Sequence, residues 1–276
     1  MKEGEIRKSV REGYAKVVKG RGSCCGPSAS SSCDVDISKE AGYSEEELES
    51  VPQGANLGLG CGNPVALASL RKGEVVLDLG SGGGLDCFLA AQKVGPRGRV
   101  IGVDMTPEMI DRARVNMAKF NHKNVEFRLG EIENLPVADN AIDAVISNCV
   151  INLSPNKRRV FEEAFRVLKP QGRLMISDIV LSKKLPVAIR RSVEAYIGCI
   201  SGAALKDEYL STIRDAGFVD VNVMDETIFP LEHMLNNPSI KRIIKELKIS
   251  LVKAMEIADS IVSVKVSGVK PSIRKG

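Results

Sequence analysis

The sequence is poor in the features that mark membrane, secreted and nucleic-acid-binding chains. No apolar run comes near the roughly 20 residues that cross a bilayer. The first twenty residues, MKEGEIRKSVREGYAKVVKG, are charged throughout and have no apolar h-region of a secretory signal. The net charge is only +4, from 39 Lys and Arg against 35 Asp and Glu, and it is evenly spread, so no basic face is offered to nucleic acid. Histidine is scarce, with His122 and His233 alone, both read as surface residues. These absences lead us to expect a soluble, cytoplasmic protein with neither nucleic acid nor membrane as a partner. Cysteine, by contrast, is present seven times. In a reducing compartment an odd set of thiols is not a disulfide framework. Some are small core hydrophobes, as free cysteine most often is, and the others are candidate ligands or redox groups.

What is present is an ordinary globular composition, 43% hydrophobic and 27% charged over 276 residues, enough for one large domain with a modest appendage. Residues 5–19 place Ile6, Val10, Tyr14, Val17 and Val18 on one helical face. A Gly- and Ser-rich stretch, RGSCCGPSASSSCD (21–34), reads as a flexible loop. Ser44 caps a short helix whose first turn holds Glu45, Glu46 and Glu47, where the helix dipole favours them. Residues 52–63 form an ordered loop entering a helix at Pro64. Strands at 74–80, 99–105, 124–130, 141–148 and 172–180 then alternate with helices at 85–94, 106–120 and 156–170. That alternation predicts an α/β fold with a doubly wound, Rossmann-like parallel sheet. Helices at 186–199 and 205–216, a β segment at 218–225, a mostly helical tail and a last strand at 260–268 follow. The expected division is an N-terminal helical and loop cap (1–72), a catalytic domain (73–225) and a small C-terminal appendage (226–276) with helices and a final strand.

Ligands of such sheets sit outside the carboxyl ends of the strands. The first strand ends in Asp78-Leu79-Gly80-Ser81-Gly82-Gly83-Gly84, whose glycines let the backbone approach a ligand. The second strand ends at Asp104, where a carboxylate can accept hydrogen bonds from both hydroxyls of a ribose. The spacing is G-x-G-x-G with an acid two residues ahead, which differs from the G-x-G-x-x-G of nicotinamide sites. Asp78 is placed to receive a methionine ammonium. With GEIENLP (130–136) and LKPQGRL (168–174), this set resembles the class I S-adenosylmethionine-dependent methyltransferase signature. By that resemblance Gly80, Ser81 and Gly82 face the methionine portion of S-adenosyl-L-methionine, and Asp104 with Met105 holds the ribose and adenine edge. It also implies that Glu131 and Ile132 flank the adenine, that Asn148 closes the site near the sulfonium, and that Tyr14 forms a lid.

At the end of the fourth strand stands SNCVINL (147–153), without the N-P-P-Y-like sequence of amino-methylating nucleic-acid enzymes. Cys149 lies there, Cys61 lies in the Gly-rich loop before Pro64, and Cys199 lies in YIGCISGA beyond the fifth strand. Three thiols from three segments, with no His or carboxylate partner, suit a thiophilic centre. Zinc would require four ligands and C-x-x-C spacing, which is absent. Trivalent arsenic takes three pyramidal bonds to sulfur and keeps a lone pair that can attack a sulfonium methyl in line, with positioning supplying most of the acceleration.

LGCGNP (59–64), SNCVINLSPNK (147–157) and GCISGA (198–203) resemble the three cysteine motifs of the arsenite methyltransferase family, and the likeness runs from about residue 5 to about 225. The resemblance implies that arsenite, delivered as a thiol adduct, is bound by Cys61, Cys149 and Cys199. It further implies that an N-terminal cysteine (Cys24, Cys25 or Cys33) pairs with Cys61 during turnover and is reduced by thioredoxin or glutathione. Cys87, inside the helix after the Gly loop, reads as core. The competing readings are a methyltransferase acting on carbon or oxygen of a quinone or sterol, and a metalloid-sequestering protein. The first has no need of the three cysteines, and the second has no need of the Gly loop.

Overall fold

The computed structural model describes residues 3–19, 31–120, 123–190, 196, 199–228 and 250–272. The elements in chain order are α1 (Glu3–Val18), α2 (Ser31–Glu40), α3 (Glu45–Glu49), α4 (Pro64–Leu67), β1 (Val75–Leu79), α5 (Leu85–Val94), β2 (Arg99–Asp104) and α6 (Pro107–Met117). Then come β3 (Val125–Leu129), β4 (Ile142–Asn148), α7 (Lys157–Val167), β5 (Leu168–Leu181), α8 (Val187–Arg190), α9 (Lys206–Asp215), β6 (Val219–Ile228), a helix Leu251–Ala258 and β7 (Ile261–Val269).

Seven strands form one sheet in the order β3-β2-β1-β4-β5-β7-β6. The first five strands are parallel, and β7 runs antiparallel to both β5 and β6. Alternation along β1 sorts the core. Val76 joins Val100, Ala144, Phe88 and Ala91 on the face covered by α5 and α6. Leu77 and Leu79 join Val145, Phe161, Tyr209 and Ile213 on the face covered by α7 and α9. Burying a ring such as Phe88, fully covered here, stabilises by about 1.5–3 kcal/mol. A third cluster gathers Val10, Cys149, Leu153, Ile179, Cys199, Ala254 and Ile257, so both ends of the chain meet beside β4 and β5.

The local expectations hold in several places for the reasons given. Ser44 and Glu47 make a reciprocal capping box, each side chain accepting the other's backbone N–H at 3.1 Å. Asn63 caps α4 with its side chain, and Pro64 occupies the first turn. Two expectations need correction. Helix α2 begins at Ser31, inside the stretch read as loop, which puts the backbone of Cys33 in a helix. The last strand is no appendage: β7 lies within the sheet, so the boundary at 225/226 is crossed by hydrogen-bonded ladders. The reason is chemical, since IVSVKVSGV alternates apolar and polar residues and can be buried only against neighbouring strands. No helix among the described residues is long and apolar enough to cross a membrane. His122, His233, Cys24 and Cys25 lie outside the described residues.

Candidate active site

The strand order reverses between β1 and β4, and the site opens above their carboxyl ends. Gly80 turns the chain out of β1 at φ 69°, with its N–H and that of Ser81 both donating to the Val103 carbonyl at 2.8 and 3.0 Å. A Cβ at Gly80 would stand 2.3 Å from Val150, so this turn admits only glycine. Above it is a cleft of about 780 Å³, counting the solvent at its open mouth. Tyr14, Asp78, Gly80, Ser81, Gly82, Asp104, Met105, Asn148 and Cys149 all line it.

Three aspartates face this space. Asp104 accepts the Gly82 N–H at 3.0 Å on one oxygen and the Thr106 N–H at 2.8 Å on the other, which fixes the carboxylate at the edge of β2. Burial pushes its pKa upward, and the two amide bonds oppose that. Asp78 falls on the α5 face of β1 by strand alternation and there accepts the Cys87 thiol at 3.2 Å. Burial, followed by the charge of Asp86, holds the Asp78 carboxyl well above its usual range. Asp86, in the first turn of α5, accepts the Tyr43 hydroxyl at 2.6 Å and the Asn148 amide at 3.2 Å. Burial raises it to about 6 despite those two bonds.

No Lys, Arg or His lies among the described lining residues. A cavity with three carboxylates and no basic residue suits a cationic ligand, and the sulfonium and ammonium of S-adenosylmethionine meet that requirement. The buried hydroxyl of Ser81 has no hydrogen-bond partner and is available to the same ligand. The residues present therefore fit the donor.

The three expected cysteines come together at one end of the cavity. Cys61 and Cys149 are joined as a disulfide with Cα atoms 5.9 Å apart, and the Cys199 thiol donates to the Cys149 carbonyl at 3.0 Å. The structure thus holds the Cys61–Cys149 pair in its oxidised form, and the three separate thiols of the expectation belong to the reduced protein. In this structure the partner of Cys61 is Cys149, and the side chains of Cys24, Cys25 and Cys33 lie outside the described residues. With two of the sulfurs bonded to one another, no group of three His, Cys, Asp or Glu among the described residues is arranged to hold a metal ion. Cys149 and Cys199 both have left-handed backbones, at φ 53° and 62°, which places each at a sharp turn. Burial pushes the Cys199 thiol up to about 12, with Asp178 adding to the rise while Tyr14 and Lys157 oppose it. Tyr14, expected as a lid, thus lines the cavity and also hydrogen-bonds the Cys199 thiol.

Glu131 and Ile132 are not brought to the cavity. Glu131 is exposed and faces Arg7 of α1 at 3.6 Å, and Ile132 is 8% exposed within the core on the α7 side. Three contributors were missed. Tyr43 and Asp86 are buried at the site, and Ser263 of β7 donates to the Cys61 carbonyl at 3.0 Å. A single acid in the first turn of an apolar helix reads as a dipole partner, and nothing local signals its bond to a tyrosine 43 residues away.

A parallel sheet that turns through glycine beneath an aspartate-lined cavity is the build of a class I methyltransferase, and the family model described as Methyltransferase domain matches residues 70–217. The comparisons narrow the class. An arsenite methyltransferase of Halobacterium salinarum is 50% identical over 229 residues, covering 79% of this chain and 59% of that protein. One from Aquipseudomonas alcaligenes is 41% identical over 174 residues, covering 60% of this chain and 50% of that protein. The crystal structure of an arsenic (III) S-adenosylmethionine methyltransferase from Chlamydomonas reinhardtii superposes with a TM-score of 0.62 at 30% identity, covering 87% of this chain and 74% of that one. The chain belongs to the arsenite methyltransferase family. It spans only 59% and 50% of the length of the two curated relatives.

Proposed function

We propose that this protein transfers a methyl group from S-adenosylmethionine to trivalent arsenic held by the thiolates of Cys61, Cys149 and Cys199, in the cytoplasm. The observation that carries this reading is the meeting of three cysteines from three segments around Cys149, which itself lines the donor cavity. When bound, S-adenosylmethionine supplies an electrophilic methyl group on a sulfonium. Asp78 and Asp86 receive its ammonium, and Asp104 accepts the ribose hydroxyls. Tyr14 and Met105 cover the cavity and exclude water, which strengthens each of these contacts.

Loading the metalloid needs no general base. Each thiol that bonds arsenic passes its proton to a departing hydroxide, released as water, or to a departing carrier thiolate, released as thiol. A protonated Cys199 is therefore a competent reactant. The Cys61–Cys149 bond must first be opened by two electrons and two protons, for which thioredoxin or glutathione is the expected class of reductant. X-ray absorption of the reduced protein with arsenite tests the cage directly. Three sulfurs in the first shell, together with methylarsenic products when donor is added, are expected. Oxygen or nitrogen in that shell would refute it.

A further inference from the structure

Asn148 touches Cys61 in an unusual way. Its Oδ1 accepts the Cys61 N–H at 3.0 Å, and its Nδ2 donates to the Gly62 carbonyl at 2.7 Å. One side-chain amide thus holds the backbone on both sides of a single cysteine, as a neighbouring strand would. The loop comes this close only because residue 60 is glycine, where a Cβ would stand 2.6 Å from that same nitrogen. The second N–H of the amide points the other way, shared between Tyr43 Oη at 2.9 Å and Asp86 Oδ2 at 3.2 Å. Tyr43 closes the triangle by donating to Asp86 Oδ1 at 2.6 Å.

All three side chains, and Gly60, line the cavity that fits the donor. Asp86 is 8% exposed, and its hydrogen-bond donors, Tyr43 and Asn148, are both neutral. A cation entering the cavity therefore finds a carboxylate whose other contacts lead, through one amide, to the Cys61 backbone. Hydrogen bonds in such a dry, linked network strengthen or weaken together.

We propose that Tyr43, Asp86 and Asn148 act as a positioning unit that couples occupancy of the donor cavity to placement of the Cys61 loop. The coupling rests on the donor site proposed above and adds to it an order of events, in which the donor seats and the loop that presents the Cys61 sulfur is held in register. By linkage the effect runs both ways, so a well-placed loop also holds the donor more tightly. Ser263, donating to the Cys61 carbonyl from the opposite side, gives the loop a second fixed support against which the amide can act.

The test uses the full chain with its cysteines reduced, and follows alkylation of Cys61 and Cys149 by peptide mass mapping with and without saturating S-adenosylmethionine. In the wild type, donor should slow Cys61 alkylation by on the order of 5–150-fold, the usual span of such couplings. Asp86→Asn and Tyr43→Phe, both nearly volume-conserving, should bring that ratio close to one at donor saturation. Protection of Cys149, which the donor covers directly, should persist in both variants. Should Asp86→Asn melt early, Tyr43→Phe, with its ring still in place, decides alone. Full protection of Cys61 in a folded variant at donor saturation, or none in the wild type, would overturn the coupling. Calorimetry on the wild type separates the two claims, since absence of donor binding would sink the donor site itself and the coupling with it.

Discussion

Replacing Asp104 by alanine separates donor binding from folding more cleanly than any other single change at the site. The Asp104 carboxylate does two jobs in the structure. It accepts the Gly82 and Thr106 amides at 3.0 and 2.8 Å, and it faces the cavity where a ribose would lie. Asp104→Ala therefore leaves two N–H groups without their acceptor. They border a cavity that water can enter, so we expect the low end of the penalty for an unmade hydrogen bond, about 1 kcal/mol each. A loss of about 2 kcal/mol in a chain of this size lowers Tm by roughly 4–8 °C and leaves the protein folded at room temperature. Donor affinity suffers separately. Losing a two-point contact to an ionised acceptor costs on the order of 2–3 kcal/mol, or roughly 30–150-fold. Isothermal calorimetry with S-adenosylmethionine, alongside a thermal melt, reads both quantities. Wild-type affinity in a variant with a lowered Tm would refute the ribose assignment and leave Asp104 as a loop anchor only. Asparagine is no gentler a replacement, because its NH₂ would face one of the two amides donor to donor.

The cysteines should behave as a set: Cys149→Ser and Cys199→Ser each lose arsenite methylation while keeping donor affinity, measured by product speciation and calorimetry. Cys61→Ser should lose the first methylation and retain some turnover of monomethylated arsenic, which needs only two thiolates, and wild-type rates in all three variants would reduce them to packing residues. Donor affinity should rise with pH through about 6, because Asp86 must shed a proton before it can face a cation. Below that point the loss approaches tenfold per unit, and an affinity flat from pH 5 to 7 would remove Asp86 from the site. Asp178, with no exposed surface, is raised by burial from 3.8 to about 6, so its contribution to stability is complete below about pH 4 and is lost as the pH rises through 6. That shift amounts to about 3 kcal/mol in full, of which about 2 kcal/mol falls between pH 4.5 and 7.5, and Asp178→Asn should narrow the gap between denaturant melts at those two pH values by that amount.

Much of this architecture was legible in the sequence, for identifiable reasons. The helix at 85–94 and the strands β1 to β3 declare themselves because apolar runs there end in glycine or an acid. Asp78 and Asp104 follow from their places at strand ends, and both stand in the cavity. What escaped notice depends on contacts between distant segments. β7 reads as an isolated last strand because nothing in IVSVKVSGV says that it lies between β5 and β6. Glu131 and Ile132 stand outside the cavity lining, because α1 supplies Arg7 beside the first while the second turns into the core. Cys87 is core as expected, with no exposed surface, yet its thiol also donates to Asp78, a contact set by the packing of α5 on β1. The disulfide between Cys61 and Cys149 joins residues 88 apart, and spacing alone does not favour it over a partner in the N-terminal segment.

The left-handed backbones of Cys149 and Cys199 bear on how this protein tolerates mutation. At φ 53° and 62° an L-residue carries a conformational cost of about 1–2 kcal/mol that glycine would not. In the reduced protein, where no disulfide is lost, exchange to glycine would recover that energy against the packing of one small side chain and the entropy that glycine adds to the unfolded chain, so the net change in stability is small. The fold does not defend its own chemistry at these two positions. A lineage without selection on these thiols would drift to glycine there and keep a well-folded, donor-binding protein that lacks them. Engineering for thermal stability alone would push the same way, and only a screen that reads thiol chemistry would retain both cysteines.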